Sequence, residues 1–289
     1  MPNSGEATPV ITSISDLAGS CDVWFLDVWG VMHNGVSAFR EAVEACQKFR
    51  NRDGYVLLLT NAPRPAAAVM EQLNKVGVPR EAYDAVVTSG DVTRGVIEAN
   101  SENLIYHIGP ERDLGIFHGL NAVFTDLNNS GMVVCTGLIN DEVETPDNYA
   151  ATLQTMKHRA MTMLCANPDI KVERGSKIVY CAGAIAQAYE ALGCKVIYSG
   201  KPYMPIYELA LETAKKDLGK EISNSNVLAI GDGVKTDIKG AAEAGIRSVF
   251  IASGVHVDQS SRLTAEIVDT LFKDLKTGRP VAAMQALAW

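Results

Sequence analysis

Apolar runs of strand length alternate with amphipathic stretches over most of this chain, and this alternation restricts its fold more than any other feature. Runs such as VWFLDVWG, YVLLLTNA and NVLAIGDG are each followed by a stretch with helical periodicity, of which AFREAVEACQKFR is the first. Nearly continuous apolar strands joined by crossover helices form parallel sheets that are covered on both faces. Because such crossovers are right-handed, the pattern predicts a doubly wound, Rossmann-like α/β sheet.

The middle of the chain departs from this regular alternation. It contains the strand-like runs NLIYHIG, AVFTD, GMVVCTGLI and AMTMLCAN, together with two helical stretches. The patterns before and after it continue one another, and the run KVIYSG is assigned to the later part. We therefore predict a core domain in two parts, residues 1–100 and 195–289, with an inserted α/β domain over residues 101–194.

The composition restricts the class of partner. A net charge of −8 argues against a nucleic-acid scaffold, which needs a basic surface. No apolar run approaches the roughly 18 residues of a membrane span, and the first residues lack the basic and apolar blocks of a signal peptide. The cysteines are scattered without metal-site spacing, as is typical of reduced thiols. We expect a cytoplasmic protein that acts on a small molecule.

Polar residues stand at the ends of four apolar runs that we assign to the core sheet. They are Asp27, Thr60 with Asn61, Lys201, and Asp232 with Asp237. Ligands of open parallel sheets bind beyond the carboxyl ends of the strands, so these side chains are expected to converge. Each residue alone is also ordinary turn or cap chemistry. Together they supply a nucleophile, carboxylates for a divalent cation and donors for phosphoryl oxygens, which favours phosphoryl transfer.

The segments that carry these residues resemble a known family. FLDVWGV, LLLTN, SGKP and IGDGVKTDI are similar to motifs one to four of the haloacid dehalogenase superfamily. The long separation of Thr60 and Lys201 leaves room for a cap domain between motifs two and three. This placement resembles the class IIA, NagD-like branch, which includes sugar-phosphate, nucleotide and aryl phosphatases. The resemblance extends from about Val23 to about Gly254.

The resemblance implies roles for the residues that match the motifs. Asp27 corresponds to the nucleophile that forms an aspartyl-phosphate intermediate, which divides one difficult displacement into two easier ones. Thr60, with Asn61 beside it, corresponds to the phosphoryl-binding position. Lys201 corresponds to the motif-three lysine. A small phosphorylated metabolite is the implied substrate, and homodimers formed through the cap are common in this branch.

The resemblance also implies a Mg²⁺ site. Its expected ligands are the Asp27 carboxylate, the Trp29 backbone carbonyl and the Asp232 carboxylate. Asp237 corresponds to a second acid that supports the metal shell or Lys201. Mg²⁺ prefers such oxygen ligands and retains several waters.

Trp29 departs from the family pattern, which is usually Asp-x-Asp in motif one. The second aspartate protonates the leaving alcohol and then activates water. An indole N–H is a donor only and cannot perform either step. His33 is the nearest residue that could replace the acid; the competing interpretation, which we prefer, is a histidine on the solvent side of a loop. Loss of the acid matters least for leaving groups that are stable as anions.

Three functional hypotheses follow. The first is a Mg²⁺-dependent phosphatase that acts on a small phosphomonoester. The second is a phosphometabolite-binding protein with weak hydrolysis because of Trp29, and the third is a phosphotransferase. A dinucleotide-binding enzyme is excluded, because G-x-G-x-x-G does not follow the first strand. Arg64, Asn167 and Asp169 are weaker candidates for substrate contact, since each is also explained as a solvated or turn residue.

Overall fold

A computed structural model describes residues 7–100, 104–174, 177–252, 262–273 and 278–289. Residues 101–103, which begin the predicted insertion, and Gly254, which ends the family resemblance, lie outside these ranges. The strands are β1 (Val23–Leu26), β2 (Tyr55–Thr60), β3 (Ala85–Thr88), β4 (Leu104–Ile108), β5 (Val123–Phe124), β6 (Met132–Cys135), β7 (Met163–Cys165), β8 (Lys171–Arg174), β9 (Lys177–Tyr180), β10 (Val196–Tyr198), β11 (Val227–Gly231), β12 (Arg247–Ile251) and β13 (Ala282–Met284). The α-helices are α1 (Ser15–Ala18), α2 (Arg40–Arg50), α3 (Ala66–Val76), α4 (Ser89–Ala99), α5 (Ala150–His158), α6 (Ala182–Ala191), α7 (Met204–Leu218), α8 (Lys239–Glu243) and α9 (Ala265–Leu271).

The first sheet has six strands in the order β13-β12-β11-β1-β2-β3. The pairs of β1 with β2 and β11, and of β12 with β11 and β13, are all parallel. Every residue of β1, β2 and β11 is buried, as expected for central strands that are covered on both faces. The predicted doubly wound sheet is therefore confirmed.

The strand order of this sheet reverses between β1 and β11. From β1 the chain proceeds outward through β2 and β3, and after the insertion it returns at β11 and proceeds to the opposite edge. A crevice forms at such a reversal, beyond the carboxyl ends of the two strands. Asp27 directly follows β1, and Asp232 directly follows β11. The topology thus places two of the predicted site residues at the position where this fold binds ligands.

The second sheet has five strands in the order β10-β7-β6-β4-β5, with parallel pairs throughout. Neighbouring residues of its strands face opposite sides, so that Val133 packs with α5 and α6 while Val134 packs against Ile97 of α4. A separate antiparallel hairpin joins β8 to β9. The second α/β assembly is inserted in the chain between β3 and β11.

The assignment of KVIYSG to the core sheet is wrong. This run forms β10, which pairs with β7 at the edge of the second sheet. An apolar run identifies a strand, but it carries no information about which sheet supplies the pairing partner. The predicted boundary between residues 194 and 195 therefore precedes a strand of the second sheet.

The described chain divides into two compact units. The first comprises Met1–Thr60, Met70–Val87 and Tyr207–Trp289, and the second comprises Asn61–Val69 and Thr88–Ile206. Among the described residues, the helices are all too short or too polar to span a membrane.

Candidate active site

Three carboxylates of the first unit approach one another at the crevice. Asp27, Asp232 and Asp237 each place one carboxylate oxygen within 4.8 Å of the others. Asp27 and Asp237 are buried, with exposed fractions of 8% and 6%, and Asp232 is half-buried. Three like charges in so small a volume are unfavourable unless a cation compensates them. The sequence prediction that these residues come together agrees with this geometry.

The local backbone brings Asp237 into the group. Val234–Ile238 forms one turn of π-helix, a local feature that is frequent at functional sites. The Gly233 amide donates to Asp237 Oδ2 at 3.0 Å. A Cβ atom at Gly231 would lie 2.2 Å from Asp237 Cγ, so only glycine leaves room for this carboxylate. The two glycines of IGDG are therefore the sequence signal of this close approach.

The donor set fits Mg²⁺. Carboxylate oxygens are hard ligands, and clustered acidic groups of this kind gain most from a divalent cation. Asp237 belongs to the same group of ligand atoms as Asp27 and Asp232, so its carboxylate is placed for direct coordination as well as for the supporting role that the sequence predicts.

Thr60 ends β2 beside this acidic group in the first sheet. The parallel register pairs Leu26 with Leu58, so Asp27 and Thr60 lie within one residue of the same level on neighbouring strands. The Thr60 side chain is buried, with an exposed fraction of 6%. A hydroxyl at a strand end next to a carboxylate is suited to hold an oxygen of a group that the carboxylate attacks.

In the second unit, the Asn61 side chain binds the main chain of Lys201 in both directions. The Lys201 amide donates to Asn61 Oδ1 at 2.7 Å, and Asn61 Nδ2 donates to the Lys201 carbonyl at 3.1 Å. Asn61 Nδ2 also donates to Asp169 Oδ1 at 2.9 Å. A Cβ at Gly200 would lie 2.4 Å from Asn61 Oδ1, so the glycine of SGKP permits this contact. We call these hydrogen bonds the asparagine clamp.

The asparagine clamp changes the interpretation of Asn61 and Asp169. The sequence places Asn61 beside the phosphoryl group, whereas the structure engages its side-chain amide with Lys201 and Asp169. The Asp169 amide also donates to Asn167 Oδ1 at 3.0 Å, so these two residues form the turn that the sequence offers as the other explanation for them. Nothing in the sequence around Asp169 indicates its contact with Asn61, which lies more than a hundred residues earlier.

Trp29 packs within the loop that follows β1. Its indole meets the His33 ring edge-on, with centroids 5.1 Å apart. Gly35, which has a positive φ of 86°, brings its backbone against the same indole. The ring is thus held by the loop VMHNG.

His33 is buried, with an exposed fraction of 1%, so the expectation of a solvent-side histidine is wrong. Its Nδ1 accepts a hydrogen bond of 2.9 Å from the Gly35 amide. Burial lowers the pKa of His33 to about 4, which leaves the imidazole neutral near pH 7. A neutral imidazole with an occupied Nδ1 is a poor proton donor, which argues against His33 as the replacement acid.

Replacing Gly35 by alanine is expected to lower the free energy of unfolding by about 2 to 4 kcal/mol, because a positive φ is combined with a clash. The added Cβ would lie 2.5 Å from the Trp29 ring. Gly77 supplies a matched control, since its φ is 91° and no heavy atom lies within 4 Å of its Cβ position. Gly77→Ala should cost only about 1 kcal/mol. Urea unfolding measures both, and equal losses would refute the packing of Trp29 on Gly35.

Comparisons with known proteins indicate the family to which this chain belongs. Residues 24–123 match the model of haloacid dehalogenase-like hydrolases, and residues 198–277 match that of HAD-hydrolase-like proteins. A solved haloacid dehalogenase-like hydrolase from Brucella suis 1330 is 42% identical, covers 96% of this chain and 100% of its own, and superposes with a TM-score of 0.87.

Two more distant proteins resemble the chain over most of its length. The 5'-nucleotidase YutF of Bacillus subtilis (strain 168) is 23% identical over 256 residues, which are 86% of this chain and 95% of that protein. The structure of NagD from E. coli K-12 is 19% identical, with a TM-score of 0.67, and covers 93% of this chain and 98% of its own. From its motifs, its fold and these similarities, the chain belongs to the haloacid dehalogenase superfamily of hydrolases.

Proposed function

We propose that this protein, a phosphoric monoester hydrolase of the haloacid dehalogenase superfamily, hydrolyses small phosphomonoesters with Mg²⁺ through an aspartyl-phosphate on Asp27. The observation that carries the proposal is the group of three carboxylates at the strand reversal, in which the predicted nucleophile is a member. Sugar phosphates, nucleotides and aryl phosphates are the substrate classes of the branch, and YutF is named a 5'-nucleotidase.

Three residues of the predicted site have defined tasks in this proposal. The Asp27 carboxylate attacks phosphorus and displaces the leaving group, and water then cleaves the acyl phosphate. Thr60 donates to a phosphoryl oxygen through its hydroxyl. Lys201 supplies positive charge to the phosphoryl group and the nucleophile, and the asparagine clamp fixes its main chain.

Asp27, Asp232 and Asp237, with the Trp29 carbonyl, would hold the Mg²⁺. When bound, the cation neutralises phosphoryl charge and lowers the repulsion between the phosphate and Asp27. The hydrogen bond from the Gly233 amide fixes the Asp237 carboxylate independently of the cation.

In the loop that follows β1, neither Trp29 nor the neutral His33 can protonate the leaving group. The proposed enzyme therefore favours esters whose leaving group is stable as an anion, such as aryl phosphates. Proton donation typically contributes about 10²- to 10⁴-fold, so sugar phosphates should be hydrolysed more slowly by a factor of that order.

Phosphate release from a series of aryl and alkyl phosphates tests the proposal. We expect turnover with Mg²⁺, loss of turnover with EDTA, and recovery when Mg²⁺ is restored, because the carboxylates of the acidic group repel the substrate without a cation. The rate should fall steeply as the pKa of the leaving group rises.

Two other outcomes identify the competing functions. Binding of phosphates without release would favour the phosphometabolite-binding protein, for which Trp29 is the specific observation. Transfer of phosphate to an added alcohol in preference to water would favour a phosphotransferase. A rate that is independent of both Mg²⁺ and leaving group would contradict all three hypotheses.

We also expect the enzyme to act in the cytoplasm and to form a homodimer through its cap. We likewise propose the predicted division into a core and an inserted cap, with the boundary after residue 194 moved to follow β10, because β10 pairs within the second sheet.

A further inference from the structure

A pocket of about 420 Å³ opens on the second unit. Its described lining residues come from the end of α4, the turn before β6, the loop and strand after α5, and the middle of β10. The predicted site residues are not among them. A volume of this size is typical of sites that bind small molecules. Because the lining segments share no motif, the sequence contains no signal for the pocket.

The pocket lies toward the amino-terminal end of the second sheet. Gly131 directly precedes β6, Thr162 directly precedes β7, and both line the pocket. Lys201 follows β10 beyond the carboxyl end of the same sheet, where the asparagine clamp holds its main chain. The strands of this sheet all run in one direction, so the pocket and Lys201 lie toward its opposite ends. The pocket is therefore separate from the asparagine clamp.

The floor of the pocket is an apolar sheet face that α4 covers only in part. The strand register places Val134, Leu164 and Ile197 side by side on β6, β7 and β10. Val134 and Leu164 are buried in a hydrophobic cluster with α4, whereas Ile197, at the edge of the sheet, is 40% exposed. Met161 adds a buried apolar side chain to the lining. Such a surface gains free energy when the apolar part of a ligand covers it.

Arg159 brings a guanidinium to this apolar surface. Its Nη1 donates to the Leu127 carbonyl and to Met161 Sδ, the latter at 3.2 Å, and its Nη2 donates to the Ser130 carbonyl at 3.0 Å. These contacts engage three of the five N–H donors of a guanidinium, so that within the described chain Nε–H and one Nη2 hydrogen remain for a ligand. The two carbonyls orient the group and leave its charge in place.

Among the residues that the structure describes, Arg159 forms no ion pair. Asp126 belongs to the same turn as the two carbonyls, but its oxygens accept from the Asn129 amide at 3.1 Å and from Asn129 Nδ2 at 2.8 Å. A guanidinium matches the two oxygens of a carboxylate through adjacent N–H donors. The charge of Arg159 beside an apolar floor is therefore complementary to an anion that carries an apolar chain.

We propose that this pocket binds a small monocarboxylate with an apolar body. The carboxylate oxygens accept from Arg159, and the apolar body lies on Leu164 and Ile197. The charge of the guanidinium recognises one end of the ligand, and burial of apolar surface recognises the other. The inference does not require phosphoryl chemistry, so it stands whether or not Asp27 is a nucleophile.

Calorimetric titration of the full chain with straight-chain carboxylates tests this inference. Butanoate, hexanoate and octanoate share the anionic group and differ in apolar length, so the affinity should rise about two- to fourfold per added methylene. Hexanamide has the chain of hexanoate without its charge. It should bind about tenfold more weakly, because charge-assisted hydrogen bonds are stronger than neutral ones. Equal affinities for hexanoate and hexanamide, or no binding of any carboxylate at millimolar concentration, would overturn the inference.

Variants separate the two parts of the pocket. Arg159→Gln should weaken hexanoate binding about tenfold and change hexanamide binding by less than about twofold. Ile197→Ser leaves the guanidinium in place and should reduce the gain per methylene. Lys157→Gln removes a neighbouring exposed charge of α5 and is the control, with affinities within about twofold of the wild type. If Arg159→Gln does not fold, Arg159→Lys, which keeps the charge without the planar fork, and Ile197→Ser still decide the question.

Competition distinguishes this pocket from the predicted catalytic residues. Inorganic phosphate with Mg²⁺, at matched ionic strength, should leave the affinity for hexanoate unchanged. Displacement of hexanoate by phosphate would place the carboxylate at the acidic group and overturn the inference. An affinity that survives the substitutions of both Arg159 and Ile197 would also overturn it. Phosphate release from esters tests the proposed function separately, so either proposal can fail without the other.

Discussion

Replacement of Asp27 by asparagine is expected to reduce Mg²⁺-dependent phosphate release by about 10⁴-fold or more, because the amide cannot attack phosphorus. The change is nearly isosteric, and Asp27 is a buried residue at the end of β1. The substitution also removes one negative charge from the acidic group, so Mg²⁺ affinity should be measured separately by titration. Phosphate release with saturating Mg²⁺ then reports the loss of the nucleophile.

Asp22→Asn provides the matched control for this experiment. Asp22 directly precedes β1, its side chain is 50% exposed, and it pairs with Lys220. Exposed ion pairs of this kind contribute little, so we expect activity within about twofold of the wild type. If Asp27→Asn retained more than a tenth of the activity, Asp27 would not be the nucleophile, and the covalent mechanism would have to be abandoned.

Replacement of Trp29 by aspartate has the second large expected effect, and here activity increases. An aspartate at this position would restore the proton donor of motif one, which typically contributes about 10²- to 10⁴-fold. The increase should be largest with sugar phosphates, whose leaving alcohols need a proton, and smaller with 4-nitrophenyl phosphate, which gains only from the activation of water. Comparison of kcat for the two ester classes measures it.

Trp29→Asn separates proton donation from the loss of the indole. Both substitutions remove the contacts of the ring with His33 and Gly35, so both should lower the free energy of unfolding by a similar amount. Only aspartate can donate a proton. An equal gain in sugar-phosphate hydrolysis for both variants would indicate that the indole merely obstructs the substrate, and the interpretation of Trp29 as a missing acid would be wrong.

The first sheet could be predicted from the sequence because its central strands are buried on both faces and are therefore apolar throughout. The residues that follow β1, β2 and β11 could be identified for the same reason: a lone polar side chain is conspicuous after such a run. Asp27, Thr60 and Asp232 are examples. Helical and strand periodicity thus specify both the elements and the polar residues at their ends.

The position of Lys201 could not be predicted in this way. Its strand, β10, joins the second sheet, and its main chain is held by a side chain that lies far away in the sequence. The burial of His33 was missed for a related reason. Such contacts depend on how separate segments pack, and a single sequence contains no periodic signal for them.

The asparagine clamp has a consequence for how position 201 tolerates change. Both hydrogen bonds between Asn61 and Lys201 use only main-chain atoms of the lysine, so they are independent of which side chain is attached there. The main chain at position 201 is therefore held in place independently of the side chain attached to it. We expect methionine or glutamine at position 201 to leave the backbone anchored, so that the loss of activity reports the contribution of the ammonium group.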